Sequence, residues 1–549
     1  MTVEHFDVVI IGAGLTGIGA ACHLKMHCPG RRALILEGRE TIGGTWDLFR
    51  YPGVRSDSDM YTLGYSFRPW RQAKAIADGG AILDYVRDTA RAYGVDRWIR
   101  FGHRAVRANW SAAARLWTIE ATRAEATRTE ATRSGERVQF SCNFLFGCSG
   151  YYNYADGYMP DYAGAGDFAG SLIHPQHWPP GLDGAGKRII VIGSGATAVT
   201  LVPALAQTAH SVTMLQRSPS YVVSLPSEDV IANGLRKRLP APLAHRLARW
   251  KNVLLGIYFY SEARRRPDRA RARIAELAQK ALGTDYDVGT HFNPRYNPWD
   301  QRLCLVPDNN LFETLRSGKA QMVTDEIDRF TEHGIRLRSG VELPADIVVS
   351  ATGLRMQFLG GMELCVDGVP VDPARTMTYR GMMLSEVPNF AIAFGYINAS
   401  WTLKADLTCA YVCRLLNFMK RRNYAVCMPR RDTRVIERPL LDFSSGYVRR
   451  SIDGFPRQGT RKPWQVYQNY LFDLLSIRFG LLRDGTLAFS RGAFSRAASS
   501  AAPERCDVRE THADRVEDGA DKSVQGNGGR VGDAARLARP ARADTAALG

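Results

Sequence analysis

The chain has 549 residues, 45% of them hydrophobic and 23% charged, enough for two or three linked cores. No run of eighteen or more uncharged apolar residues occurs, which excludes an apolar transmembrane helix, and the start lacks the basic region and cleavage site of a signal peptide. The net charge of +17 raises the question of nucleic acid, but no such motif accompanies it and the excess concentrates in residues 236–273, so no nucleic-acid partner is expected.

In chain order, "DVVII" (7–11) predicts a fully buried strand and "RRALILE" (31–37) another, with a helix opened by glycines between them. In "GAGLTG", Gly12 permits the tight turn, Gly14 lets a pyrophosphate approach the backbone, and Gly17 lets the helix pack closely on the strand. The unpaired N–H groups of the helix start meet the phosphates, with the Thr16 hydroxyl in the same turn. Glu37, about twenty residues beyond Gly17, closes the second strand as a ribose-hydroxyl acceptor should. In "GGTWDL", Gly44, Thr45, Trp46, Asp47 and Leu48 are expected close to the rest of that cofactor, the glycines again permitting approach.

Residues 121–136, "ATRAEATRTEATRSGE", repeat ATR every five residues and predict an expanded hairpin loop without a catalytic part. "FLFGCSG" (144–150) resumes a buried strand. A second βαβ unit follows at "KRIIVIGSGATAV" (187–199) and "SVTMLQR" (211–217). Gly193, Ser194, Gly195, Ala196, Thr197, Ala198 and Val199 form its turn, Ala198 standing where a third glycine is usual. Its following strand ends in Gln216 and Arg217 rather than an acid. An acid would repel a 2′-phosphate, whereas Arg217 can pair with one bidentately, so NADPH is expected over NADH; a surface salt-bridge partner is the alternative role for Arg217. Two dinucleotide folds, one closing on Glu and one on Arg, suggest FAD and NADPH respectively.

Residues 226–294 are expected as a basic helical insert. Its charge suits a solvated face, or attraction of an anionic cofactor or a membrane surface, so peripheral membrane contact stays open. The apolar run "NVLLGIYFY" (252–260) within it is expected as packed helix, with admission of hydrophobic or membrane-dissolved substrates as the alternative. "ADIVVSATG" (345–353) predicts a further buried strand. The ten cysteines form no CxxC pair, and Cys409 and Cys413 fit core thiols on a helix, as in a reduced cytoplasmic protein; no metal site is expected. From about 497, Ala, Arg, Asp and Gly dominate, which predicts a disordered low-complexity tail over 497–549.

The fold expected is α/β, with two Rossmann-like, doubly wound, three-layer dinucleotide-binding domains. The FAD domain is discontinuous, 1–155 and 375–496, and the NADPH domain is 156–374 with the insert inside it.

Between the two glycine turns lies "FAGSLIHPQHWPP" (168–180). Phe168, Gly170, His174, Trp178 and Pro179 match in spacing and type the FxGxxxHxxxW(P/D) fingerprint, so the chain resembles the type I Baeyer–Villiger monooxygenases over roughly residues 5–490. "GGTWDLFRYPGVRSDSDMYTLGYSFRPW", "HPQHWP", "NPWDQRLCLVP" and "GYINASWTLKADL" look closest to the ethionamide-activating, FAD-containing branch of that family. By residues alone, Phe168, His174 and Trp178 could be a packed linker. The resemblance adds a hinge that senses whether the nicotinamide cofactor is bound, since a His can exchange partners as domains rotate.

The resemblance implies a flavin C4a-peroxide kept anionic by an active-site arginine, here Arg302 in "WDQRLCLVP", which stays charged at any working pH. A structural ion pair is the plain alternative. Asp57 in "VRSDSD" matches the carboxylate that orients this arginine, close to the nicotinamide with Arg55 and Ser56; Asp57 and Asp59 could otherwise be loop or cap residues, and Asp59 is expected to have no site role. Ala105 matches a position offering backbone contacts to the adenine. The chain departs from the pattern at Gln301, where many relatives place Lys, and at "CSG" (148–150), where ATG is usual. The activity implied is NADPH- and O2-dependent oxygen insertion into small hydrophobic ketones, giving esters or lactones. Sulfur in thioamides or sulfides would be oxidised by the protonated hydroperoxide. The main rival is an N- or S-hydroxylating flavin-containing monooxygenase, which would carry Tyr or Phe at Trp178. A disulfide reductase would need a redox cysteine pair that the sequence lacks, and a non-enzymatic redox sensor would require that NADPH not reduce the flavin.

Overall fold

The computed structural model describes residues 3–123, 135–441 and 443–492. The first apolar run becomes the strand Glu4–Ile11, paired in parallel with Ala33–Leu36 on one side and Glu136–Gly147 on the other. Val8, Val9 and Ile10 are fully buried, which is why the run is continuous rather than alternating. The helix Leu15–His27 follows the strand and packs on the helix Trp401–Arg422, so its residues from Leu15 to Leu24 are buried nearly all round. Outward from Glu136–Gly147 the sheet continues antiparallel through Leu116–Arg123 and His103–Ser111. Arg123 pairs with Glu136 across this hairpin; the ATR repeat between them, at 124–134, and the tail expected over 497–549 lie outside the described residues.

The second sheet has five strands, all parallel, in the order Ala320–Thr324, Ser211–Gln216, Arg188–Ile192, Ile347–Ser350 and Ser171–Ile173. The helix Ala196–Leu205 makes the crossover between the second and third βα elements of this sheet, packing on Arg188–Ile192 and Ser211–Gln216. Each nucleotide motif therefore sits at the C-terminal end of a parallel strand, where open α/β sheets bind ligands.

Two expectations need correction. The return from the second sheet does not fall at 374: Glu363–Val366 pairs in parallel with His103–Ser111 and Val369–Pro370 adds to its edge, so residues 363–370 belong to the first sheet. Strands this short do not display a period of two. The insert is helical, as Val230–Arg238, Ala241–Arg265, Pro267–Leu282 and Val288–His291. Its run 252–260 is not packed throughout, however: Val253 is buried while Leu254, Leu255, Tyr258 and Phe259 are exposed. Apolar composition made the helix plain but not which side would find a neighbour.

The nine cysteines among the described residues are all buried and unpaired, Cys409 and Cys413 on the helix Trp401–Arg422 as expected.

Candidate functional site

The first cradle is built by three glycines with three separate reasons. Gly12 takes φ +101, and its N–H donates to Leu36 O at 2.8 Å, closing the turn onto the neighbouring strand. A Cβ on Gly17 would lie 1.8 Å from Gly12 O, so only glycine lets the helix start this close to the strand. Gly14 faces Gly44 across backbone, a Cβ there meeting the Gly44 Cα at 3.5 Å. Glu37 is buried at the end of its strand, its Oε2 accepting from Ala13 N at 2.7 Å and its Oε1 from Arg39 N at 3.0 Å. Burial raises its pKa, moderated by these two N–H groups and the Arg39 guanidinium. The Thr16 hydroxyl accepts from Trp401 Nε1 at 2.7 Å. Ala105 is buried on a strand whose first residue, His103, donates its N–H to Glu37 O at 2.8 Å.

Thr45, Trp46, Asp47 and Leu48 form a single helical turn after Gly44, and the Thr45 hydroxyl lies 3.3 Å from that of Tyr154. Asp47 presents no free carboxylate to a ligand. It is buried and gathers Arg39 at 2.6 Å, Arg50 at 2.9 Å and Arg87 at 3.4 Å, with the Thr41 hydroxyl donating to it at 2.5 Å. Three guanidiniums on one carboxylate leave this flank of the cradle positive.

In the second cradle Gly193 takes φ +135, and a Cβ there would meet Ala351 O at 2.5 Å. Gly195 precedes the helix Ala196–Leu205 and a Cβ there would meet no atom within 4 Å, leaving open space at the helix start. Gly195 and Ala196 are exposed and Thr197 half-buried, whereas Ala198 and Val199 are fully buried and serve packing. The Ser194 hydroxyl lies 2.9 Å from that of Ser220. Arg217 is exposed at the end of its strand, with no ion pair among the described residues. Gln216 turns the other way: its amide donates to His291 O at 2.8 Å and to Thr324 Oγ1 at 2.9 Å, and its carbonyl accepts from Asp325 N at 3.0 Å.

Between the cradles, Arg302 and Asp57 meet, Nε to Oδ2, at 2.7 Å, and Arg302 Nη1 donates to Ile397 O at 3.4 Å. Burial opposes the charge of Arg302, but Asp57 and then Tyr151, Tyr447 and Tyr152 outweigh it and hold its pKa above the ordinary arginine value. About a third of the side chain still reaches solvent, so the guanidinium sits at the floor of an open cleft. Tyr151 stacks with Phe394 and Trp401, both at 5.2 Å, and Phe394 with Trp401 at 5.4 Å, forming an apolar wall from the cleft to Thr16. These tyrosines, Trp401 and Tyr447 were missed in the sequence; the aromatic run after "CSG" was the available signal for Tyr151 and Tyr152.

Arg55 lies within electrostatic reach of Asp57, whereas the Ser56 side chain turns inward. Ser56 is buried and its Oγ accepts from Ala77 N at 3.1 Å. Arg55 also donates to Leu305 O at 2.6 Å and lines a cavity of about 670 Å³ with Lys74, Asp78 and Thr200. Asp59 caps the turn Met60–Leu63, accepting from Thr62 N at 3.0 Å.

The fingerprint segment fastens both halves. Phe168 is buried against Phe330 with ring centroids 5.8 Å apart, and a Cβ on Gly170 would meet Asp346 O at 2.5 Å. His174 Nδ1 accepts from Gln176 N at 3.2 Å, so its proton is on Nε2, which donates to Gly353 O at 3.0 Å. Burial lowers the His174 pKa, keeping the ring neutral. Gln176 donates to Asn153 O at 3.0 Å, His177 to Ala155 O at 2.8 Å, and Trp178 packs half-buried on the second core. The segment thus ties Tyr152–Gly157 to the end of Ile347–Ser350.

Both cradles fit a dinucleotide: helix starts with unpaired N–H groups, side-chain-free backbone at Gly14 and Gly195, a buried acceptor in Glu37 and a free cation in Arg217. Among the described residues no cluster of His, Cys, Asp or Glu could hold a metal ion, and no helix is long and apolar enough to cross a membrane.

Residues 10–78 match the NAD(P)-binding Rossmann-like domain, and residues 76–238 the flavin-binding monooxygenase-like family. The chain is 54% identical over 490 residues to the FAD-containing monooxygenase EthA of Mycobacterium tuberculosis, covering 89% of this chain and 98% of that one. It is 45% identical over 491 residues to the FAD-binding monooxygenase AlmA of Acinetobacter baylyi, covering 89% and 97%. Among solved structures, a steroid monooxygenase bound to NADP matches with a TM-score of 0.64 at 24% identity, over 78% of this chain and 88% of that one. An open cyclohexanone monooxygenase matches with a TM-score of 0.63 at 20% identity, over 78% and 90%.

Proposed function

The chain belongs to the FAD-containing monooxygenases, and from that premise we propose that it transfers one oxygen atom of O2 to a small hydrophobic ketone, and to sulfur in thioamides or sulfides, using FAD and NADPH. For the ketone the balance is R–CO–R′ + O2 + NADPH + H⁺ → R–CO–O–R′ + NADP⁺ + H2O. A C–C bond breaks, two C–O bonds form, and the second oxygen leaves as water. Bound FAD, reduced by NADPH, supplies the activated oxygen.

The observation that carries this reading is the Arg302–Asp57 pair at 2.7 Å, joined across the two nucleotide cradles. Arg302 holds a permanent positive charge where negative charge develops on oxygen during attack on the carbonyl. Asp57 fixes the guanidinium by its Nε and Ile397 O takes Nη1, which leaves Nη2 for the reacting oxygen. Tyr151, Phe394 and Trp401 give one side of the reacting centre an apolar wall. Arg217 selects the 2′-phosphate of NADPH, and His174, through Gly353, couples the second cradle to the strand Tyr152–Gly157. The Trp at 178 favours this reading over an N- or S-hydroxylating enzyme without ketone activity.

The test is anaerobic reduction with NADPH, followed by mixing with O2 and either phenylacetone or thiobenzamide. Benzyl acetate and an S-oxide formed in proportion to NADPH consumed are expected. Stoichiometric H2O2 with neither product would overturn the reading.

A further inference from the structure

The exposed large apolar side chains of this molecule are not scattered singly, as they are on most surfaces. Among the described residues, twelve of the eighteen gather on the helix Ala241–Arg265 and on the two segments that flank it. On the helix, Leu243, Leu247, Leu254 and Tyr258 recur at intervals of four, seven and four, so they form one stripe, and Tyr258 is 61% exposed. On one flank, Lys251 and Asn252 anchor the helix Val230–Arg238 through Asp229, at 2.5 Å and 3.4 Å, and Val230 beside it is 80% exposed. On the other flank Trp250 meets Tyr470 at 5.9 Å, and beyond Tyr470 the segment 472–481 exposes Phe472, Leu475, Phe479 and Leu481.

We propose that this face docks the enzyme on an anionic lipid bilayer. Charge decides between the possible occupants. Residues 236–273 carry twelve Lys and Arg against only Glu262 and Asp268, a large share of the excess charge of the whole chain. Arg246 and Arg265 on the helix and Arg478 and Arg483 beside the second flank are exposed at the edge of the apolar stripe, and Arg265 continues it seven residues beyond Tyr258. Aromatic and aliphatic side chains bordered by long cationic ones are what an interfacial helix presents: the apolar groups enter the acyl boundary while the guanidiniums reach the headgroups. A second copy of this chain would bring an equally basic surface against it and be repelled. Well-paired buried residues behind the stripe keep the face rigid: Arg249 donates to Tyr61 O at 2.9 Å and to Gly64 O at 2.8 Å and pairs with Asp406 at 3.2 Å.

The face also leads to the cleft. Tyr260 meets Trp299 with ring centroids 5.4 Å apart, and Arg264 pairs with Asp300 at 2.6 Å, so the same helix holds the loop that carries Arg302. A docked enzyme therefore takes its apolar substrate from the bilayer, a consequence that rests on the proposed function, whereas the docking itself does not.

The test uses the full FAD-loaded chain, sedimented with vesicles of phosphatidylcholine alone and of phosphatidylcholine with phosphatidylglycerol. Binding to the anionic vesicles is expected, weakening as salt is raised. The triple variant Leu254→Gln, Tyr258→Gln, Phe259→Gln should partition roughly a hundredfold less, with FAD content and NADPH oxidation unchanged, and Arg246→Glu with Arg265→Glu should abolish the preference for anionic vesicles. Wild-type protein left in the supernatant, or a triple variant that binds vesicles as well as wild type, would overturn the proposal. A triple variant that alters only the oligomeric state in solution would assign the face to a homotypic interface instead, and loss of oxygenation with vesicle binding intact would count against the proposed function alone.

Discussion

Arg302 and Asp57 lie 245 positions apart in sequence, yet their Nε and Oδ2 atoms are separated by 2.7 Å. Asp57 follows the first cradle and Arg302 follows the insert, so the pair exists only when both halves of the chain are folded against each other. Its charge balance is also particular: Asp57, the nearest anion, and three tyrosine hydroxyls outweigh the cost of burying the guanidinium. On the proposed reading, Arg302→Ala still binds FAD and still lets NADPH reduce it, while oxygenated product falls about a hundredfold to a thousandfold and H2O2 rises in its place. Product formed at the wild-type rate would put the reaction centre elsewhere.

Asp57 acts through Arg302, so its removal should cost less. Asp57→Asn keeps a polar group beside Nε, and the guanidinium remains cationic without its partner. A loss in kcat of roughly tenfold, with little change in KM for NADPH, is expected from misorientation alone. The double variant Asp57→Asn with Arg302→Ala should be no slower than Arg302→Ala by itself. Additive losses in this cycle would mean that Asp57 has a separate role.

The sequence made the cradles legible because each glycine answers a local question of backbone geometry, and the buried parallel strands legible because both of their faces are covered. It did not reveal Tyr447, which enters the surroundings of Arg302 from the last third of the chain through packing that no local pattern encodes. The orientation of Gln216 was illegible for a related reason. It lies beside Thr324 in the register of the second sheet, and only that register shows its amide turned inward. The run 252–260 was apolar enough to read as core, yet burial depends on a neighbour, and among the described residues none covers Leu254 or Tyr258. The fingerprint packs as a linker: His174 Nε2 holds Gly353 O, and a Cβ on Gly353 would lie 3.8 Å from Tyr447.

The glycines separate folding from binding. In Gly17→Ala the new methyl would lie 1.8 Å from Gly12 O, so the helix must move off the strand. That variant should be isolated with little FAD and a lowered Tm. In Gly195→Ala the methyl meets no protein atom within 4 Å, so FAD content and Tm should match wild type. The methyl would instead occupy the approach of the second pyrophosphate, raising KM for NADPH about tenfold or more. An unchanged KM in this variant would remove Gly195 from the cofactor site.

Arg217 is exposed at the end of its strand, free to take the 2′-phosphate. Arg217→Ala should raise KM for NADPH by roughly ten- to a hundredfold and leave KM for NADH nearly unchanged, because a charge-assisted bidentate contact contributes about 1.5–3 kcal/mol. Equal losses with both coenzymes would argue that Arg217 supports the strand end rather than the phosphate.

His245 sets a pH dependence that has no connection with the chemistry. It is buried in the helix Ala241–Arg265 beside Arg249. Burial first and then the Arg249 charge push its pKa down from 6.5 to about 4, with a hydrogen bond to the Tyr65 backbone and the Asp406 charge opposing in part. Between those values the unfolded chain binds a proton at this position and the folded chain does not. Stability therefore falls as pH falls through this window, by roughly 3 kcal/mol at most from this group, and is unaffected by it above pH 7. His245→Leu, which places an apolar side chain of similar size in the same site, should lose less stability than wild type between pH 7 and pH 5, read as the shift of the urea midpoint at each pH. The same fall in both proteins would mean that other groups carry the acid sensitivity. Because Arg249 also donates to Tyr61 O and Gly64 O of the first domain, protonating its neighbour loosens the insert from the body that holds FAD, so flavin release should accompany the acid transition in wild type and shift to lower pH in the variant.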